Sequence, residues 1–218
     1  MQSLTQVEVP MSDQPERPQL YLVTPPAFEP EVFSPLLSRI LDAVPVACLR
    51  LAWASNDEEA ISRAADALRS VAHDRDIAIV IERHALMAER LGLDGVHLPE
   101  GMRGVRKLRD DLGTDVIIGA ACGVSRHDGL NAAEAGADYV SFGPIGNSPL
   151  GSGENADHEL FAWWSEVIEV PVIAEGALTR DLVEKFAPVT DFFAIGDEIW
   201  GADDPLAALT ALIEPLGY

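Results

Sequence analysis

Eight short runs of β-branched and aromatic residues, each followed by a stretch of helical periodicity, alternate along the chain and limit its fold more than any other feature. The first run, Leu20-Tyr21-Leu22-Val23-Thr24, is stopped by Pro25-Pro26, which cannot donate to a sheet ladder. Phe33, Leu36, Leu37, Ile40 and Leu41 then recur at three- and four-residue spacing, the stripe of a helix that buries one face. Further strands are expected at Val46–Leu51, Ile77–Ile81, Gly95–Leu98, Val116–Gly119, Tyr139–Gly143, Val172–Ala174 and Phe192–Ile195. Between and after them the pattern predicts helices at Asp57–Ala72, His84–Leu91, Val105–Leu112, Leu130–Ala135, Leu178–Phe186 and Leu206–Leu216. Such alternation requires parallel strands with right-handed crossovers, and eight units can close on themselves. The expected fold class is therefore α/β, a single (βα)8 TIM barrel. An open doubly wound sheet is the alternative, but no Gly-rich phosphate fingerprint follows the first strand.

At 218 residues with 48% hydrophobic content, the chain can bury the core of one domain. Met1 to Pro18 is polar, contains proline and lacks periodicity, which predicts a flexible tail ahead of a barrel over 19–218. A net charge of -21 repels nucleic-acid phosphates and anionic membranes, leaving a small molecule as the expected partner. No apolar run approaches the roughly 20 residues that span a bilayer, and no basic segment leads into an apolar one at the N-terminus. A cytoplasmic protein is expected. Cys48 and Cys122 lack CxxC spacing and read as buried or half-buried free thiols.

One local device recurs: a helix end, a short turn containing Asp, then a strand. It is clear at Asp94 and Asp138 and looser at Asp191. Asp bonds nearby backbone in such turns, and these positions precede strands, so their expected role is stability.

The opposite strand ends carry the chemistry in a barrel of this kind, because the loops after the strands build the site. Arg50, Glu82, His97, Glu175, Asp197 and Glu198 all fall there. Arg50 could grip an anionic ligand group by a forked contact or neutralise Glu82 on the adjacent strand, the second being the preferred reading. His97 is a general acid or base, or a hydrogen-bonded core histidine; the core role is the commoner one. Glu82 could equally pair with Arg83. For the acids, solvation or capping of the following helix competes with a binding role. His127 should lie exposed on the helix after the fifth strand. Trp163 and Trp164 suit helix–barrel or subunit packing, while Trp200 could line the mouth. The Gly-rich loop from Gly146 to Gly153, with Asn147, Ser148 and Ser152, has the composition of a segment able to close over a ligand.

The segments Gln19-Leu20-Tyr21-Leu22-Val23-Thr24, Asp94-Gly95-Val96-His97-Leu98, Gly136-Ala137-Asp138-Tyr139-Val140 with Gly143-Pro144, and Val170-Pro171-Val172-Ile173-Ala174 resemble the thiamine-phosphate synthase and thiazole tautomerase family, over about Gln19 to Pro205. Gly119 to His127 is similar to a variant segment of some bacterial members. The resemblance implies a small βα barrel, a homodimer, and a role in thiamine biosynthesis in which a pyrimidine diphosphate is coupled to a thiazole phosphate while magnesium shields the departing pyrophosphate.

Against that pattern the chain departs at most polar positions. The Gln-Leu-Arg-x-Lys motif stands as Cys48-Leu49-Arg50-Leu51-Ala52, the Asn-Asp pair as Glu82-Arg83, and Gly-Gln-x-Asp as Pro99-Glu100-Gly101-Met102. Thr-Pro-Thr-Lys reads Ser148-Pro149-Leu150-Gly151, and Gly123 replaces an expected histidine. Both magnesium carboxylates are thus absent, and no metal site is expected. Arg50 matches a family position and is a catalytic candidate, Glu82, His97 and Glu175 are catalytic candidates as substitutes for the missing histidine, and Gly143, Ser148, Gly176, Ala177, Gly196 and Asp197 stand where the family binds its ligand. Acids beside the phosphate-cradling turns oppose a dianion, because like charges a few ångströms apart cost on the order of 1–4 kcal/mol. Two readings follow: a divergent thiamine-phosphate synthase-like transferase, with a tautomerase-like isomerase as its variant, or a catalytically silent or repurposed barrel. The latter would bind a different small molecule, neutral or cationic, or a protein partner through an apolar surface bearing Trp163 or Trp164.

Overall fold

The computed structural model describes residues 17–147 and 153–218. Most of the expected tail, and the loop residues Ser148 and Ser152, lie outside the described residues. Arg17 and Pro18, assigned to the tail by composition, are tied down instead: Arg17 donates to the Gly217 carbonyl, and the Tyr218 hydroxyl donates to that of Pro18 at 2.6 Å.

Eight strands run in chain order: β1 (Gln19–Val23), β2 (Val46–Leu51), β3 (Ala78–Glu82), β4 (Gly95–Leu98), β5 (Ile117–Ala121), β6 (Tyr139–Phe142), β7 (Val172–Glu175) and β8 (Phe192–Ile195). Each pairs in parallel with its neighbours, and β8 pairs with β1, so the sheet closes into a barrel as expected. Around it lie α1 (Pro30–Ala43), α2 (Glu58–His73), α3 (Ala85–Ala88), α4 (Val105–Leu112), α5 (Arg126–Glu134), α6 (His158–Val167), α7 (Arg180–Phe186), α8 (Asp197–Trp200) and α9 (Pro205–Ile213).

Caps set several of these boundaries. Ser125 accepts from the Asp128 N–H and starts α5 four residues before the first apolar position that marked it. Asp57, Asp157, Thr179 and Asp204 start α2, α6, α7 and α9 in the same way. His84 makes no side-chain cap, and α3 is a single turn rather than the longer helix expected over His84–Leu91. Trp164 is fully buried, and its ring packs edge-on against Phe142 of β6. Trp163 is half-buried beneath the Arg126 guanidinium. The pair thus seals helix against barrel and does not form an open apolar face.

Period-two alternation divides each strand between two cores. Outward residues such as Leu20, Leu49, Ile79, Val96, Val140 and Phe193 pack beneath the helices. Inward residues Tyr21, Cys48, Val80, Tyr139, Ile173 and Ala194 fill the barrel. Gly119 makes room for Tyr139: a Cβ there would sit 1.9 Å from the tyrosine ring. The polar residues keep the inward parity one step further up, so Arg50 follows Cys48, Glu82 follows Val80, Ser141 follows Tyr139 and Glu175 follows Ile173. They are thereby raised to the mouth.

The three turn aspartates cap the barrel floor. Asp94 accepts from the Ile79 N–H at 2.7 Å, Asp138 from Ile118 at 2.7 Å and Asp191 from Val172 at 2.8 Å. In each case the acid closes the start of the preceding strand, the stabilising role that the sequence predicts.

Candidate functional site

Arg50 is the centre of the mouth. It is 8% exposed, and its Nη2 donates to Glu175 Oε2 at 2.9 Å while Nη1 contacts His97 Nε2 at 2.7 Å. The expected pairing of Arg50 with Glu82 is present, but it is the looser of the arginine's two ion pairs. The Arg50 Nε lies 3.7 Å from Glu82 and makes no hydrogen bond among the described residues, whereas its Nη2 reaches Glu175 of β7 at 2.9 Å. Burial opposes the guanidinium charge, but Glu175 and the other acidic groups around it outweigh this and raise the pKa of Arg50.

The arginine fixes a direction for the hydrogen bonds below it. A guanidinium only donates, so His97 Nε2 accepts and the imidazole is neutral, with its proton on Nδ1. That proton points to the Tyr139 hydroxyl at 3.0 Å, and the Tyr139 and Tyr21 hydroxyls share a hydrogen bond at 2.7 Å. Burial, and then the neighbouring Arg50 charge, hold the His97 pKa well below its usual value, in agreement with this assignment. His97 is 2% exposed, a satisfied core histidine under the site. Burial also pushes the Cys48 thiol up to about 12, so it is an inert neighbour of this chain of hydrogen bonds.

Glu175 is held at both oxygens. Ser141 Oγ donates to Oε1 at 2.8 Å, and Arg50 to Oε2. A carboxylate has about four acceptor positions, so two protein donors orient it without exhausting it. Glu82 is shared between Arg83, whose Nε is 3.2 Å away, and Arg50.

Arg50, Glu82, Arg83 and Glu175 line a cavity of about 620 Å³ whose wall also includes Trp53, Gly143, Gly176, Ala177, Gly196, Asp197 and Glu198. Gly143 is required for packing: a Cβ there would lie 2.3 Å from the Glu175 carbonyl. Ala177 and Arg83 hold left-handed backbone at φ 53° and φ 69°. Such conformations cost non-glycine residues about 1 kcal/mol or more and gather where a site imposes them. Asp197 is exposed at the rim. Glu198 reaches backwards: Oε2 accepts from the Gly196 N–H at 2.8 Å and Oε1 from the Leu178 N–H at 3.0 Å.

Several sequence candidates lie apart from the cavity. Trp200 donates to the Val23 carbonyl at 2.7 Å and packs edge-on against Phe33, a packing role rather than a lining one. His127 is exposed on α5, as expected. Conversely, the sequence reading missed Trp53, Ser141 and the tyrosine pair. Trp53 packs on Phe28, and its indole N–H is buried without a hydrogen-bond partner among the described residues.

The magnesium implied by resemblance does not fit these residues. Arg83 stands at one ligand position, the neighbouring Glu82 is claimed by two guanidiniums, and among the described residues no group of three or more His, Cys, Asp or Glu is placed to hold a metal ion. Among them, too, no helix is long and apolar enough to cross a membrane.

Comparison with known proteins gives consistent matches. Residues 20–195 match the family model described as thiamine monophosphate synthase. A thiamine-phosphate synthase of Rhodospirillum centenum is 39% identical over 197 residues, covering 88% of this chain and 94% of that protein. Another, from Erythrobacter litoralis, is 35% identical over 91% of this chain and 95% of its own length. The thiamine phosphate pyrophosphorylase structure from Pyrococcus furiosus superposes with a TM-score of 0.76 at 21% identity, over 91% of this chain and 95% of that one, a likeness of fold.

Proposed function

The chain belongs to the thiamine monophosphate synthase family, and from that premise we propose that it serves thiamine biosynthesis as a transferase-type barrel, binding the thiazole heterocycle at its mouth beside Arg50 and Glu175. The observation that carries this reading is the Arg50–Glu175–Ser141 constellation, rigidly held at the strand ends under an open cavity. In a coupling of this class the thiazole nitrogen bonds to the pyrimidine's methylene carbon. The carbon–oxygen bond to pyrophosphate breaks, and its electron pair leaves with pyrophosphate. The ring nitrogen then carries a positive charge. Glu82, Glu175, Asp197 and Glu198 outnumber Arg50 and Arg83 around the cavity, so the wall favours that developing cation.

His97 is neutral and has no free nitrogen for proton transfer, so its part is to hold Arg50, and Arg50 in turn aims Glu175. No step is assigned to a metal. The reading is tested by incubating the protein with pyrimidine diphosphate and the thiazole, as alcohol and as phosphate, with and without magnesium, and following thiamine, thiamine phosphate and pyrophosphate. Formation of either coupled product supports it. Absence both of turnover and of thiazole binding contradicts it and favours the second reading, a repurposed barrel. The engagement of Glu82 by two guanidiniums is the observation that speaks for that alternative.

A further inference from the structure

Among the described residues, Trp53 is the one aromatic ring on the wall of the cavity at the mouth, and packing alone does not account for it. Trp164 and Trp200, whose rings pack on phenylalanines, each donate the indole N–H to a backbone carbonyl at 2.7 Å, that of Val170 and that of Val23. A paired N–H is the usual state of a buried indole. Trp53 departs from it: its N–H is buried and unpaired among the described residues, a cost in stability for which packing gives no reason.

The ring is fixed all the same. Phe28 meets it edge-to-face with centroids 4.6 Å apart, Phe33 follows at 4.4 Å from Phe28, and Trp200 at 5.0 Å from Phe33. This row of four rings runs from the cavity wall to α8, so the indole is in place before a ligand arrives.

Its surroundings select the charge of what it would touch. Glu82, Glu175, Asp197 and Glu198 stand on the same wall as Arg50 and Arg83, and four carboxylates against two guanidiniums leave an excess of two negative charges. The face of an indole carries the negative end of a quadrupole, and tryptophan is the best of the aromatic side chains at receiving a cation. Wall and ring thus favour the same ligand, a cationic ring over its neutral counterpart.

We propose that Trp53 is a further catalytic residue, which receives on its π-face the thiazolium formed at this mouth. In the coupling the lone pair of the ring nitrogen becomes the new nitrogen–carbon bond, and pyrophosphate keeps the pair of the broken carbon–oxygen bond. The positive charge left on the ring is absent from the incoming thiazole. A contact that strengthens as this charge develops lowers the barrier as well as favouring binding. The identity of the ring rests on the function proposed above; the cation-selective indole does not.

The test has two arms. In the first, calorimetry compares thiazole alcohol with its N-methyl thiazolium salt on the wild-type protein and on Trp53→Leu, which keeps apolar bulk and lacks the π-face. The wild type is expected to bind the thiazolium roughly tenfold more tightly than the neutral ring, and the variant to lose about fivefold of that preference. An unchanged preference in the variant, or a wild type that binds the neutral ring as tightly, overturns the proposal. The second arm needs no thiazole. The indole N–H resonance of Trp53, assigned in proton–nitrogen correlation spectra by its absence from Trp53→Phe, should move progressively with tetramethylammonium chloride and stay in place with matched sodium chloride and tert-butanol. A resonance that responds to all three alike, or to none, overturns the proposal even if every thiazole fails to bind, a failure that would count against the proposed function alone. If Trp53→Leu does not fold, Trp53→Phe, a weaker cation acceptor, replaces it in the first arm with a smaller loss of preference expected.

Discussion

The floor and the mouth of this barrel both depend on carboxylates, and they use them in different ways. On the floor, Asp94, Asp138 and Asp191 each accept the backbone N–H of the preceding strand, a partner supplied within the same short stretch of topology. At the mouth, Glu175 joins β7 to Arg50 of β2, far around the barrel, and to Ser141 of β6. A carboxylate satisfied by local backbone stabilises the fold and is otherwise silent. One satisfied by distant side chains stays poised toward the cavity, and its energetics depend on a charge that is itself buried. Glu198 combines the two: it stands at the mouth but is satisfied as the floor acids are, by backbone.

The largest expected difference between the regions comes from Arg50→Met. Removing one partner of a buried pair leaves Glu175 and His97 without their donor, and the expected loss is about 3–5 kcal/mol with ligand binding abolished. Denaturant melts and calorimetry check this. A stable variant that still binds would mean that the mouth is not organised by Arg50.

Asp138→Ala tests the floor. It strips the Ile118 N–H of its acceptor and Arg109 of a partner, for an expected loss of about 1–3 kcal/mol in urea melts. Ligand affinity should be unchanged in the folded protein. A fall in affinity comparable to that of the arginine variant would erase the distinction between the two ends.

The His97 pKa gives a smaller, pH-dependent effect. The folded value lies below that of the unfolded chain, about 6.5, so the unfolded state binds the extra proton as pH falls. The stabilisation is complete above about pH 6.5 and is lost progressively below it, at no more than about 1.4 kcal/mol per pH unit. His97→Gln should flatten the stability profile between pH 7 and pH 5 by up to that slope. An unchanged profile would show that His97 takes up its proton alike in the folded and unfolded states, against the one-way donation from Arg50.

The smallest effect belongs to the left-handed backbone at the mouth. Ala177→Gly relieves the Cβ at φ 53° and should stabilise the protein by about 1 kcal/mol or less, seen as a rise of a few degrees in melting temperature. A clear loss of stability would place the constraint in packing and not in backbone conformation.

Much of this molecule was legible in the sequence, and the boundary of legibility follows the same contrast. The eight strands and the capping aspartates were readable because both are local: period-two runs bounded by turns, and an acid a fixed distance from a strand. Arg50, Glu82, His97 and Glu175 were found by their place at strand ends. The pairing of Glu82 with Arg50 and Arg83 was legible too, but that of Arg50 with Glu175 was not, because it exists only after the sheet has closed and no nearby residue pattern encodes it. Tyr21, Tyr139 and Ser141 were hidden inside strands that read as core. The available signal was parity, since each shares the inward phase of the charged residues, and Gly119 opposite Tyr139 marks where a large ring must fit. Trp53 was missed because it follows β2 in a loop without periodicity. For Glu198, capping was anticipated but its targets, Gly196 and Leu178, were not.

The account stands most directly on one calorimetric titration: thiazole alcohol into the wild-type protein and into Glu175→Gln. The proposed function predicts saturable binding at one site per chain in the wild type, weakened at least tenfold when the carboxylate beside Arg50 loses its charge. Equal affinity in the two proteins would contradict the placement of the ligand at this mouth, and no binding in either would contradict the thiazole reading itself.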